Sequence, residues 1–155
     1  MEQKTNIQAE EGKQEILISR QFDLPLELLY RAYTEAEFIE QWMENKVLRL
    51  DNNDHGCYLF EKKDNQGNVL FRANGSIHSV IENQNITRTF EMENTSFPVQ
   101  LEFLDFKALT AKTSFLTMKI VYKSVIDRDN MLKLPFAYGI NMAHDRLQKI
   151  MENLN

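Results

Sequence analysis

The last 25 residues, 131–155, constrain the fold more than any other stretch of the chain. Phe136, Ile140, Ala143, Leu147, Ile150 and Leu154 follow one another at spacings of four, three, four, three and four. That rhythm puts all six on one face of an α-helix. Asp145 and Lys149 lie off that face, where an i,i+4 pair in solvent is expected. A helix over the whole stretch is about 37 Å long at ~1.5 Å per residue. A single apolar stripe does not hold a helix together in water, so a broad apolar surface must cover it.

The preceding chain supplies such a surface. Residues 1–14 are polar and read as a flexible tail, and 15–155 as a single domain. Glu15 to Phe22 alternates as a strand, with Ile16, Ile18 and Phe22 on one face and Arg20 interrupting it. Asp23 and Pro25 then fit the N-cap and first turn of a short helix. Thr34 with Glu37 fits the capping box of a second helix burying Phe38, Ile39, Trp42 and Met43. From Val47 the period changes to two. Turns at 52–56, 64–68, 82–85 and 94–96 separate strands at 47–51, 57–63, 69–81, 86–92 and 99–103, and a last strand spans 113–125. In the 99–103 strand, Val99, Leu101 and Phe103 are expected to face the core. Gly75 in mid-strand suggests a bulge or a bend over something large. The expected fold class is α+β: an antiparallel sheet of about six to seven strands wrapped around a long C-terminal helix, with two short helices after the first strand.

Composition excludes some function classes. The net charge is −5 with no basic run, which argues against a nucleic-acid partner. One cysteine, Cys57, forms neither an internal disulfide nor a multi-thiolate metal site. His55, His78 and His144 are scattered without ligand spacing, so no metal and no cofactor is expected. No apolar run is long enough to span a membrane, and the N-terminus lacks a signal peptide's apolar core, so the expected location is cytoplasmic. The sequons at Asn85 and Asn94 are then chance matches.

The stretch from Arg20 to Thr34 resembles the opening of the activator of Hsp90 ATPase homologue family, in which a strand runs through a proline turn into an aromatic helix. Glu37 to Trp42 resembles the second helix of that family and its tryptophan. Gly75 to Ile81 followed by Ile86 to Phe90 resembles its central pair of strands, and Gly139 with Asp145, Arg146 and Leu147 its C-terminal helix. The resemblance covers roughly residues 15–154. It implies the helix-grip fold of the START-like (SRPBCC, Bet v 1-like) superfamily, whose lipid carriers, hormone receptors and polyketide cyclases hold a cavity between sheet and long helix. Leu24 replaces the family's usual alanine, and Ile140 stands where an aromatic is common. Co-chaperones of the family carry a further Hsp90-binding domain for which 155 residues leave no room, so the name implies ancestry and fold more than activity.

The residues expected to line a cavity are Trp42, Phe60, Gly75, Phe90, Phe103, Met118, Phe136, Gly139 and Ile140. The alternative is that the aromatics simply fill the core. Arg20 and Arg88 interrupt apolar strand faces. Buried, each needs an acidic partner or a ligand carboxylate; otherwise strand twist turns it to solvent. Glu61, His78 and Asp105 are polar groups able in principle to serve acid–base chemistry, but no spacing singles them out. Pro135 either opens a helix or kinks one begun near Asp129, and the family pattern favours the kink. The leading expectation is a domain that binds a small apolar or amphipathic ligand. A protein-interaction module, with Hsp90 or another protein as partner, is the second reading, and a cyclase-like enzyme the third. A homodimer is compatible with all three.

Overall fold

The computed structural model describes residues 3–154. In chain order it contains β1 (Asn6–Gln8), β2 (Glu15–Phe22), α1 (Leu26–Thr34), α2 (Ala36–Trp42), β3 (Lys46–Leu50), β4 (Cys57–Lys63), β5 (Val69–Ile81), β6 (Asn85–Met92), β7 (Gln100–Ala108), β8 (Ser114–Val121), α3 (Val125–Leu132) and α4 (Phe136–Glu152). The strands form one antiparallel eight-stranded sheet in the order β1-β2-β8-β7-β6-β5-β4-β3. The expected α+β helix-grip architecture is present, with one or two strands more than the alternation suggested.

The extra strand is β1. Ile7 pairs opposite Ile18 of β2, so residues 6–8 belong to the sheet and not to a tail. The segment is polar because it covers polar groups. Thr5 donates its N–H to Asn141 Oδ1 over 3.0 Å, and the carbonyl of Glu10 accepts from buried Arg128 of α3 over 2.6 Å. A short segment that contributes mainly hydrogen-bond partners, with only Ile7 and Ala9 partly buried against the core, leaves little apolar signature in the sequence.

β2 keeps its expected face, with Ile16, Ile18, Arg20 and Phe22 all buried. β7 reverses its expected face. Gln100, Glu102, Leu104 and Phe106 point inward, while Val99 and Leu101 are exposed and Phe103 is half-buried on the outer side. A slip of one residue exchanges the two faces of a strand. Here the inward end of the strand is polar, which is what misleads an apolar alternation.

The helix caps also differ. Pro25 occupies the N-cap of α1 and has no side-chain acceptor to cap it, while the backbone N–H and carbonyl of Asp23 are both engaged by Gln148 of α4. Thr34 closes α1 by donating its hydroxyl to the Tyr30 carbonyl, and Glu35 takes the N-cap of α2. The C-terminal stretch is two helices, not one long one. Ser124 caps α3, accepting from the Asp127 N–H over 3.1 Å, and α3 ends at Leu132. Pro135 has no N–H to continue a helix and disfavours helical backbone at the residue before it. α4 therefore begins anew at Phe136, a full break where the family pattern favoured a kink.

The 17 residues of α4 span about 25 Å at ~1.5 Å per residue. Its deepest line is His144, Leu147 and Met151. Phe136, Ile140, Ala143 and Ile150 of the expected stripe are half-buried beside that line, and Leu154 beyond the helix is exposed. Asp145 pairs with Arg20, not with Lys149. The main core gathers β2, β8, α1 and the C-terminal half of α4 around Ile16, Ile18, Phe22, Leu29, Leu116 and Leu147. Ile39, Tyr58, Phe60 and Ile77 form a second, smaller cluster.

Candidate functional site

The two apolar clusters do not fill the space between sheet and α4. A cavity of about 570 Å³ lies between α2, the inner faces of β6 to β8, and the α3–α4 break. Trp42 and Met43 close one side; Phe90, Met92, Met118 and Ile120 form the sheet wall; Met131, Phe136, Gly139, Ile140 and Ala143 form the helix wall. Lys62, Asn45 and Arg146 also line it. Trp42 is held in place by its indole N–H, which donates to the Ala32 carbonyl over 2.7 Å. Tyr33 packs against it at a tilt of 58°, with ring centroids 4.9 Å apart.

One patch of the cavity wall is polar and buried. Arg88 of β6 stands directly opposite Glu102 of β7 in the antiparallel register. Its Nε donates to Glu102 Oε1 over 2.9 Å. The other carboxylate oxygen, Oε2, accepts from Gln100 Nε2 over 2.8 Å. The three residues are 9%, 3% and 8% exposed, so the ion pair operates away from bulk water. The Arg88 guanidinium lies 5.2 Å from the centroid of the Tyr58 ring. Burial opposes its charge, but the Glu102 carboxylate beside it more than offsets this and its pKa is raised. Burial raises the pKa of the Tyr33 and Tyr58 phenols, so both stay protonated.

Of the residues expected to line a cavity, Trp42, Phe90, Met118, Phe136, Gly139, Ile140 and Arg88 do so. Four are elsewhere. Phe60 is buried in the second cluster against Tyr58, with centroids 4.9 Å apart. Gly75 lies against the Tyr58 ring and the Thr89 carbonyl, which leave no room for a Cβ. The large object beneath that strand is thus a tyrosine and not a ligand. Phe103 faces outward with the rest of the mistaken β7 face. Arg20 is buried but serves a different cluster. It pairs with Asp145 over 2.9 Å and donates to Thr5 Oγ1 and Asn141 Oδ1 over 3.3 and 3.4 Å.

That cluster centres on His144, which is fully buried. Its Nδ1 bonds Thr5 Oγ1 over 2.8 Å and its Nε2 bonds the Tyr33 hydroxyl over 3.1 Å. Burial, then the nearby Arg20 charge, push its pKa down to about 3, so the ring is neutral at ordinary pH. Among the acid–base candidates, Glu61 is buried and paired with Arg72 over 2.9 Å, while His78 and Asp105 are exposed. Cys57 is half-buried, with its thiol 3.7 Å from Asp51 Oδ2. No group of three or more metal-ligating side chains is found among the described residues.

Sequence reasoning missed Glu102, Gln100 and Tyr33. A signal for the first two existed. Gln100 and Glu102 share the parity of Leu104 and Phe106, so placing those two apolar residues inward carries the polar pair inward as well.

No helix among the described residues is long and apolar enough to cross a membrane. No curated protein matches the sequence. Solved structures match the whole fold. A crystal structure of a Rhodobacter sphaeroides protein superposes with a TM-score of 0.85 at 14% identity, over 97% of this chain and 99% of that one. The crystal structure of protein Ms6760 from Mycobacterium smegmatis gives 0.82 at 16%, over 95% and 96%. A solution structure from Staphylococcus epidermidis gives 0.80 at 17%, over 97% and 95%. The family described as activator of Hsp90 ATPase homolog 1-like protein matches residues 23–152, from the turn before α1 to the end of α4. With its helix-grip fold and that match over most of its length, the chain belongs to the activator of Hsp90 ATPase homolog 1-like family, within the START-like superfamily.

Proposed function

We propose that this protein binds one small, mostly apolar molecule in the cavity between the sheet and α4. The observation that carries the reading is the cavity itself. Its volume of about 570 Å³ falls in the range of small-molecule sites, roughly 300–1,000 Å³. Its wall is dominated by aromatic and aliphatic side chains, with one buried polar patch at Arg88, Glu102 and Gln100. Apolar burial at roughly 25 cal/mol per Å² supplies the affinity, and the polar patch fixes orientation. The α3–α4 break at Pro135 forms part of the wall and interrupts the helical hydrogen-bond ladder there, so it is the natural place of entry. We assign the protein to the cytoplasm, where its single thiol stays reduced.

Native mass spectrometry of protein purified from its source tests this directly. A co-purifying small molecule is the expected result. Repeated absence of a bound species, together with no thermal shift across a panel of lipids and metabolites, overturns the reading.

A second reading, a protein partner, has one specific observation behind it. Leu134, Tyr138 and Met142 recur every four residues along the α3–α4 break and α4, and are 45%, 70% and 40% exposed. A partner that covers this line would close over the cavity's entrance.

A further inference from the structure

The buried polar patch specifies the chemistry of the ligand's head. Arg88 is 9% exposed and lines the cavity. Of its donors, only Nε is bonded, to Glu102; among the described residues its two Nη nitrogens have no hydrogen-bond acceptor. A guanidinium carries five N–H groups, and those of the two Nη atoms open onto the cavity that Arg88 lines. The Tyr58 ring packs near the guanidinium, so the Nη edge is what remains for a ligand in the cavity.

Charge decides what kind of acceptor fits there. Glu102 is 3% exposed and both its oxygens are engaged, one by Arg88 and one by Gln100. The pair is therefore neutral and fixed before any ligand arrives. An anionic head on the Nη edge would leave the cavity with a net negative charge, next to a carboxylate that cannot turn away. Like charges a few Å apart away from water repel, and one of them is then driven to take up a proton or leave. A neutral oxygen takes the same N–H groups without that cost. The other cationic side chains lining the cavity, Lys62 and Arg146, do not alter this balance. Lys62 is exposed, and Arg146 is a third exposed and already engaged by the Trp42 carbonyl and Glu44.

We infer that the ligand is an uncharged molecule with an apolar body and a single carbonyl-type acceptor, a ketone, ester or amide, held on the Nη edge of Arg88. This rests on the cavity being a binding site. Matched probes with the same bicyclic body separate the two ideas: acetylnaphthalene offers a neutral acceptor, naphthoate an anion and ethylnaphthalene neither. Trp42 is the chain's single tryptophan and lines the cavity, so its emission reports occupancy. On the unaltered protein, acetylnaphthalene is expected to bind about tenfold tighter than either other probe, the usual worth of a hydrogen bond to a charged group. In Glu102→Gln the cavity carries the uncompensated Arg88 charge, and naphthoate becomes the tightest of the three. Equal binding of all three probes by the unaltered protein overturns the head-group assignment but leaves the cavity reading in place. So does naphthoate binding tightest to it. Binding of none of the three overturns both. If Glu102→Gln fails to fold, the order of the three probes on the unaltered protein decides alone.

Discussion

Arg20 of β2 reaches Asp145 of α4 across 2.9 Å, and this pair ties the first long strand to the last helix. Arg20 is 2% exposed, whereas a quarter of the Asp145 side chain meets solvent. Removing the carboxylate leaves a buried guanidinium charge uncompensated. Asp145→Asn is expected to cost about 3 kcal/mol of stability. Arg20→Met combined with Asp145→Leu is expected to recover most of that loss, because the desolvated pair is then absent from both sides. Urea denaturation of the single and double variants checks both statements.

His144 makes stability depend on pH in acid. Its folded pKa, about 3, lies below the ordinary 6.5, so the unfolded chain binds the proton more readily. Its contribution is fully present above pH ~6.5 and is lost as pH falls toward ~3, at up to about 1.4 kcal/mol per pH unit. The groups around it are Thr5, Tyr33 and the Arg20 charge, which disfavours the imidazolium further. His144→Gln is expected to flatten the pH dependence across this window relative to the unaltered chain. Thermal melts in a series of buffers from pH 7 to pH 4 read the difference.

Gly75 and Gly139, both expected from the sequence to line the cavity, respond in opposite ways to a methyl group. At Gly75 a Cβ would run into the Thr89 carbonyl and the packed Tyr58 ring. Neither yields, because the Tyr58 hydroxyl itself donates to that carbonyl. Gly75→Ala is expected to destabilise by about 2–3 kcal/mol, the upper part of the overpacking range. At Gly139 a Cβ meets nothing within 4 Å, and the residue sits inside α4. Gly139→Ala is expected to stabilise by about 0.5–1 kcal/mol. Denaturant midpoints at constant m-value show the two signs.

Filling the cavity separates binding from folding. Ala143 is half-buried on the helix wall, and the space beside it is empty. Ala143→Phe occupies that space without displacing packed core. Binding of ethylnaphthalene is expected to fall at least about tenfold, in line with the apolar area lost to the ligand, while the melting temperature holds or rises. Weaker binding together with a lowered melting temperature would instead place Ala143 in packed core.

The architecture was legible because it rests on periodicities that burial enforces. The faces of β2 and β8 and the stripe around Leu147 are apolar because the core surrounds them, and the alternation reports that directly. The errors cluster where burial is polar. Thr5, just before β1, serves as a hydrogen-bond partner for Arg20 and His144, so this polar stretch looks like a tail. The inward end of β7 carries Gln100 and Glu102, so its apolar outer face looked like the core. His144, as fully buried on α4 as Leu147 and Met151, reads in the sequence as one of three scattered histidines. The cavity wall was about half legible. Its aromatic members stand out in the sequence, but which aromatics face a void and which face each other depends on Tyr58, whose ring claims both Phe60 and the space under Gly75.

The strand order has a consequence for how the chain assembles. From β3 to β8 each strand pairs with its neighbour in sequence, so these hairpins close through short loops. β2 instead pairs with β8, Glu15 opposite Val121 and Phe22 opposite Ser114. That closure spans most of the chain, and long-range pairing of this kind slows folding. In a chain growing from its N-terminus, β2 meets β1 early, but its other edge waits until β8 has been made. The apolar edge of β2 therefore stays open through most of synthesis. The cavity comes into being only at the last step, when α4 arrives to close it.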